Sequence, residues 1–174
     1  AGRFSACGAG SITMTEQLHS SEPKPLTEQE LRQWLLGLLS RREYSALELK
    51  QKLKQKGASA EQITELLEWA QQRDYQNELR YARMQVNAKL HKGYGWFYIS
   101  QFCAQQGIKK DLQQQLLEEL DIDWFEVATQ AYRKKYADKP IADYQDKLKR
   151  MRYLQSRGFG SDTIQLVFAE LKEE

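Results

Sequence analysis

The sequence predicts an all-α protein built as three tandem three-helix repeats, stacked into an elongated, curved array. Three observations carry that expectation. The good helix formers Leu, Gln, Glu, Lys, Arg and Ala dominate a chain of 174 residues that holds only three prolines. Helix-start signals recur with one grammar. Blocks of sequence then return at a spacing of about fifty residues, the signature of stacked repeats whose end units are exposed.

The first patterned segment follows Pro25. In "LTEQEL" Thr27 stands as an N-cap with Glu30 closing a capping box, and Leu26 and Leu31 form a hydrophobic staple around it. Leu31, Trp34, Leu35, Leu38 and Leu39 recur at helical spacing behind it, which predicts a helix over 27–40. "YSALEL" uses the same device with Ser45, Glu48, Tyr44 and Leu49 and opens a helix over 45–56. "ASAEQI" repeats it with Ser59, Gln62, Ala58 and Ile63 for 60–72, and "IDWFEV" with Asp123, Glu126, Ile122 and Val127 for 123–136.

Tyr44 and Tyr94, Ser45 and Gly95, Leu49 and Ile99, Gly57 and Gly107, and Leu66 and Leu116 are each fifty residues apart. "GYGWFYI" (93–99) is therefore the second copy of "EYSALEL", with Gly95 in the N-cap place of Ser45, a place where glycine is tolerated. Gly93 supplies the sharp turn that a glycine gives just past a helix end. Gly57, Gly107 and Gly158 mark three equivalent helix ends, and Ile164, Val167 and Phe168 follow Gly158 as Ile63, Leu66 and Leu67 follow Gly57. The remaining helices are expected over 77–91, 95–106, 110–120, 141–157 and 161–172. The units are then 26–75, 76–122 and 123–174, with residues 1–25 outside them.

Those first residues carry no periodicity. "AGRFSACGAGSIT" before Met14 lacks the apolar core of a signal peptide and reads as a disordered tail or an expression-derived leader. No apolar run approaches the ~18 residues that span a bilayer, and the expected location is cytoplasmic, as a monomer. With 41% hydrophobic and 29% charged residues the balance is that of a globular protein.

A net charge of +2 does not by itself point to nucleic acid, but the charge is unevenly spread. Residues 133–157 hold nine basic and three acidic residues, whereas 111–126 hold six acidic and no basic ones. One face of the molecule should be basic and another acidic.

Chemistry is poorly supported. The two cysteines, Cys7 and Cys103, lie far apart without a CxxC, and Cys103 reads as a small core residue. His91 suits a helix C-terminus, where a cation is favoured. Asp121 and Asp123 form a carboxylate pair, but Asp123 is already accounted for as a cap. HExxH, GxSxG and phosphate-loop motifs do not occur. Neither an enzyme, a metal site nor a cofactor is expected. Tyr94, Trp96, Phe97, Tyr98 and Phe102 have the composition of a base-stacking platform. Tyr94 is explained as a staple with Ile99, packing is the favoured reading for Trp96 and Phe97, and Tyr98 is the candidate for exposure.

The basic helices are the most informative feature. Lys50 with Lys54, and Lys52 with Lys56, lie four residues apart; Lys147 with Arg150, and Lys149 with Arg152, lie three apart. Any one lysine is most simply a solvated charge, but their recurrence on the middle helices of two repeats suggests a shared lining. With Lys92 and Arg157 they make up the candidate partner-binding face, and a polyanion or an acidic protein surface is its natural partner.

These motifs together resemble the RecX family of recombination regulators over about residues 31–171. The likeness rests on "SRREYSALELKQKLKQKG", on "HKGYG" followed by Ile99 and "QQGI", on "LDIDWFEVA" before a basic helix, and on "LQSRGF". Two positions depart from the family pattern: Asn77 and Glu78 stand where an acidic pair is common, and Trp96 where proline is usual. The resemblance implies a non-enzymatic modulator of DNA repair, recombination and the SOS response. Such proteins bind the RecA recombinase filament in its helical groove and inhibit ATP hydrolysis, strand exchange and co-protease stimulation. A direct DNA-binding module of helix-turn-helix type is the alternative, since a three-helix unit also fits that architecture. A general protein scaffold is a third.

Overall fold

The computed structural model describes residues 26–137 and 139–171; the expected tail at 1–25 lies outside them. Among the described residues the chain forms α-helices and turns, with no strand. The helices are α1 (Glu28–Leu39), α2 (Ala46–Gln55), α3 (Ala60–Gln72), α4 (Glu78–His91), α5 (Trp96–Gln105), α6 (Lys110–Leu120), α7 (Trp124–Tyr136), α8 (Tyr144–Ser156) and α9 (Ser161–Glu170).

The starts follow from side chains that satisfy otherwise unpaired N–H groups. Thr27, Ser45 and Ser59 each accept from the backbone three residues on, and Glu30, Glu48 and Gln62 return the bond, so three capping boxes close. At α7 the Glu126 N–H donates to Asp123 Oδ1 at 3.1 Å. The ends share a mechanism too. The N–H of Ala58 reaches back to the Leu53 carbonyl and that of Gly57 to Lys54; the same pair of bonds recurs at Tyr94 and Gly93, Ile108 and Gly107, and Phe159 and Gly158.

Helix α8 begins later than the sequence predicts, at Tyr144 and not near 141. Asp143 takes the N-cap place by accepting from the Asp146 N–H at 2.8 Å. The chain before it is held open because the Lys139 and Pro140 carbonyls are drawn to Arg150, as set out below.

Three hydrophobic cores stand in series, one per helix triplet. The first gathers Leu31, Leu35, Tyr44, Leu49, Leu53, Ile63, Leu66 and Ala70. The second gathers Tyr81, Ala82, Val86, Ile99, Cys103, Ile108 and Leu116. The third gathers Ala128, Ala131, Tyr132, Leu154, Phe159, Ile164, Val167 and Phe168. Each buried Leu or Ile contributes about 1.5–3 kcal/mol by leaving water. The closest helix pairs all lie inside a triplet: α2 with α3, α4 with α5 and α6, and α7 with α8 and α9. An array of repeats, each holding its own core, is the result.

The joints between triplets differ in chemistry. Between the first and second the contact is polar. Glu78 Oε1 accepts from the Ala46 N–H at the start of α2 (2.6 Å) and from Gln76 Nε2 (2.8 Å), and buried Gln76 also donates to the Tyr44 carbonyl. Arg80 bridges Glu43 and Asp74. Asn77 caps α4 by accepting from the Arg80 N–H at 3.0 Å. The departures noted at Asn77 and Glu78 are thus a cap and an inter-repeat tie.

Candidate partner-binding surface

On α2 the stripe of Leu49 and Leu53 points into the first core, which turns Lys50, Lys54 and Lys56 outward. Lys52 is half-buried, with Nζ 5.9 Å from the Tyr44 ring, and Lys56 Nζ lies 5.4 Å from the Trp34 ring. Their aliphatic stems cover aromatic surface while the ammonium groups reach solvent. On α8, Lys149 and Arg152 are exposed and Lys147 is half-buried.

Arg150 does not belong to this face. It is only 4% exposed. Its guanidinium points inward and donates to Tyr132 Oη (2.7 Å), the Lys139 carbonyl (2.8 Å) and the Pro140 carbonyl (3.0 Å), and pairs with Asp146 at 2.7 Å. A planar fork with several donors can close a loop in this way, and a lysine cannot. The Arg150 charge holds the Asp146 carboxyl below the usual carboxylate range, helped by the Ala142 N–H.

Arg157 is likewise engaged. Its guanidinium lies 3.9 Å from the Tyr94 ring, Nε donates to the Gly93 carbonyl at 3.1 Å, and Nη2 donates to the Lys92 carbonyl. Tyr94 in turn stacks on Tyr98 with ring centres 3.9 Å apart. Arg157 therefore clamps the end of α4 onto the end of α8, and it belongs to the joint between the second and third repeats.

Gly95 and Gly158 complete that joint. The Gly95 N–H donates to the Arg157 carbonyl at 2.8 Å and the Phe97 N–H to the Gly158 carbonyl at 3.1 Å, so the end of α8 caps the start of α5. Trp96 lies 6.1 Å from Trp124, and Trp124 packs against both the second and third cores. Phe97 breaks the packing expectation: it is 67% exposed, while Tyr98, the candidate for exposure, is half-buried. Successive helical residues point about 100° apart, so Trp96 and Phe97 cannot both face one seam.

Beside this joint lies a cleft of about 550 Å³ whose lining includes His91, Lys92, Lys134, Lys135, Tyr153 and Arg157. Lys135 Nζ stands 3.9 Å from the Tyr153 ring. None of its described lining residues is acidic. The structure thus brings Lys92 and Arg157 together with Lys134 and Lys135, which the candidate set lacked. Their signal was the basic run at the end of α7, visible in the sequence without an indication of what it faces.

The weaker chemical candidates resolve into structure. Asp121 ends α6 in the left-handed conformation and Asp123 caps α7. Cys103 is buried, and burial pushes its thiol up to about 11, away from the reactive thiolate. Among the described residues no group of three or more His, Cys, Asp or Glu side chains is placed to hold a metal ion. No described helix is long and apolar enough to cross a membrane.

Comparison with known proteins agrees over most of the chain. The family model described as "RecX, first three-helix domain" matches residues 35–69, and "RecX, third three-helix domain" matches 121–168. A protein named "Regulatory protein RecX" from Legionella pneumophila is 39% identical over 137 residues, covering 79% of this chain and 91% of its own length. A protein of the same name from Haemophilus influenzae is 37% identical over 133 residues, covering 74% and 86%. The fold is similar to the crystal structure of RecX from Lactobacillus salivarius, with a TM-score of 0.70 at 18% identity, over 84% of this chain and 97% of that one. It is also similar to a structure described as "regulatory protein RecX", with a TM-score of 0.68 at 20% identity, over 84% and 72%.

Proposed function

Because this chain belongs to the RecX family of regulatory proteins, we propose that it is a non-enzymatic regulator that binds the RecA recombinase filament on DNA. In this reading it inhibits the filament's ATPase, strand-exchange and co-protease activities, in the cytoplasm, and so acts in DNA repair, recombination and the SOS response. The observation that carries the proposal is similarity across nearly the full length of a named regulator. The architecture supports it. Three small cores in series give a long, thin body that can follow a groove, and exposed lysines on α2 and α8 offer charge to a polyanionic filament.

The partner-binding residues in this proposal are Lys50, Lys52, Lys54 and Lys56 on α2, and Lys147, Lys149 and Arg152 on α8; Lys92, grouped with them in the sequence, stands apart at the end of α4 beside the second joint. Arg150 and Arg157 act behind them as structural residues. Co-sedimentation of the full chain with recombinase–DNA filaments, and with the same DNA alone, tests the reading. Retention on the filament with weak retention on bare DNA is the expected result. Equal retention on both would replace it with a direct DNA-binding module, whose affinity should fall steeply with salt.

A further inference from the structure

The cleft beside the second joint carries more positive charge than its helix ends explain. Cations near a helix C-terminus answer the negative end of the helix dipole, and the ends of α4, α7 and α8 all converge here. Each such end is equivalent to about half a negative charge. Three of them offset at most about one and a half of the four full charges on Lys92, Lys134, Lys135 and Arg157. The end of α4 is also satisfied by other means, since Arg157 occupies the Lys92 and Gly93 carbonyls. Lys92 and Lys134 make no ion pair among the described residues, and both are exposed.

The cations approach from three helices, so they surround the space and do not form a flat patch. That arrangement suits an anion with several oxygens and more than one charge better than a single carboxylate. Base stacking is not what the cleft offers. Tyr94 is covered by Arg157 and Tyr98, and Tyr153 lies under the Lys135 ammonium.

We propose that this cleft is a phosphate-binding site in which Lys92, Lys134 and Lys135 hold the phosphate oxygens and His91 stands at the rim. Arg157 acts as the positioning residue that keeps α4 and α8 in register around it. The site is separate from the filament-facing lysines of α2 and α8 and does not depend on the recombinase reading. Its phosphate could come from a nucleic-acid backbone or from a free polyphosphate, which share the chemistry recognised.

The test is a titration of the full chain at low salt, followed by backbone amide NMR, with inorganic tripolyphosphate, a short oligothymidylate and a hexaglutamate peptide as probes. Phosphate probes should shift the amides of Gly93 and Ala131. The double substitution Lys134→Gln, Lys135→Gln should weaken binding roughly tenfold or more, as loss of charge-assisted hydrogen bonds does. The control Lys109→Gln, Lys110→Gln, at exposed positions at the start of α6 and outside the cleft, should leave it unchanged. Tripolyphosphate displacing the oligonucleotide would identify a site for any polyphosphate; binding of the oligonucleotide alone would identify the nucleic-acid backbone as the source. The proposal is overturned by no binding of either phosphate probe, by shifts that map elsewhere, or by hexaglutamate binding as tightly. It is also overturned by a folded Lys134→Gln, Lys135→Gln protein that binds as the parent does. Should that variant misfold, the shift map on the parent chain decides alone.

Discussion

Gly95 and Gly158 lie backbone to backbone across the joint between the second and third repeats. A Cβ on Gly95 would stand 2.3 Å from the Gly158 carbonyl oxygen, and a Cβ on Gly158 would stand 2.4 Å from the Tyr98 nitrogen. Neither obstacle is a side chain that can swing away. The contact is what lets the last carbonyls of α8 cap the first N–H groups of α5.

Substitution at Gly158 should therefore cost more than at the equivalent Gly57, although both have positive φ. Gly57→Ala meets open space and carries only the left-handed penalty, about 1–2 kcal/mol. Gly158→Ala adds overpacking of about 1–3 kcal/mol and should lose about 2–5 in all. Urea denaturation of the two variants checks this, and equal losses would remove the close approach from the account. Gly93→Val should likewise lose more than the ~1 kcal/mol of a propensity change, since its Cβ would meet the Ala131 Cβ at 3.0 Å.

Arg150 should behave as a core residue despite its charge. Arg150→Met leaves Asp146, Tyr132 Oη and two carbonyls without their donor, and the cost expected for breaking a buried pair is about 3 kcal/mol or more. Lys149→Met, at the preceding residue on the exposed side of the same helix, should stay within about 0.5 kcal/mol. Thermal melts of both proteins give the comparison directly.

Helix starts and ends were legible because their causes are local: a capping side chain and its partner lie three residues apart, and a glycine turn spans six. The inward course of Arg150 was not, because charge spacing on a helix does not say which face is buried. Leu154, four residues on and fully buried, was the available signal. Gly95 read as a tolerated cap because the carbonyls it approaches lie more than sixty residues away in sequence. The exposed lysines of α2 were readable for the opposite reason: Leu49 and Leu53 fix the buried stripe and leave them no other direction. The cleft beside the second joint was not readable, since it exists only where α4, α7 and α8 meet.

Acid should loosen the third repeat through Asp146. Its folded-state pKa lies below the ordinary carboxylate value because Arg150 and the Ala142 N–H favour the charged form. A depressed pKa gives stability that is present above the unfolded-state value, near 4, and is lost as pH falls below it. The melting temperature of the parent chain should drop more between pH 5 and the acid range than that of Asp146→Asn. Parallel pH profiles for the two proteins would contradict the assignment.

The α8 cations proposed to face the filament give a separable prediction. Lys147→Glu, Lys149→Glu and Arg152→Glu together should melt close to the parent chain, because none of the three makes a hydrogen bond or ion pair within the inward network of Arg150. Binding to recombinase–DNA filaments should weaken strongly. Adding Arg150→Glu to the set should unfold the third repeat, and circular dichroism distinguishes the two variants.

DNA-dependent ATP hydrolysis by the cognate recombinase, titrated with the full chain, bears most directly on the proposed function. Hydrolysis should fall in a saturable way as the chain is added, and the folded Lys147→Glu, Lys149→Glu, Arg152→Glu protein should require a much higher concentration for the same effect. Hydrolysis that stays level at saturating concentrations of the intact chain would contradict filament inhibition as its function.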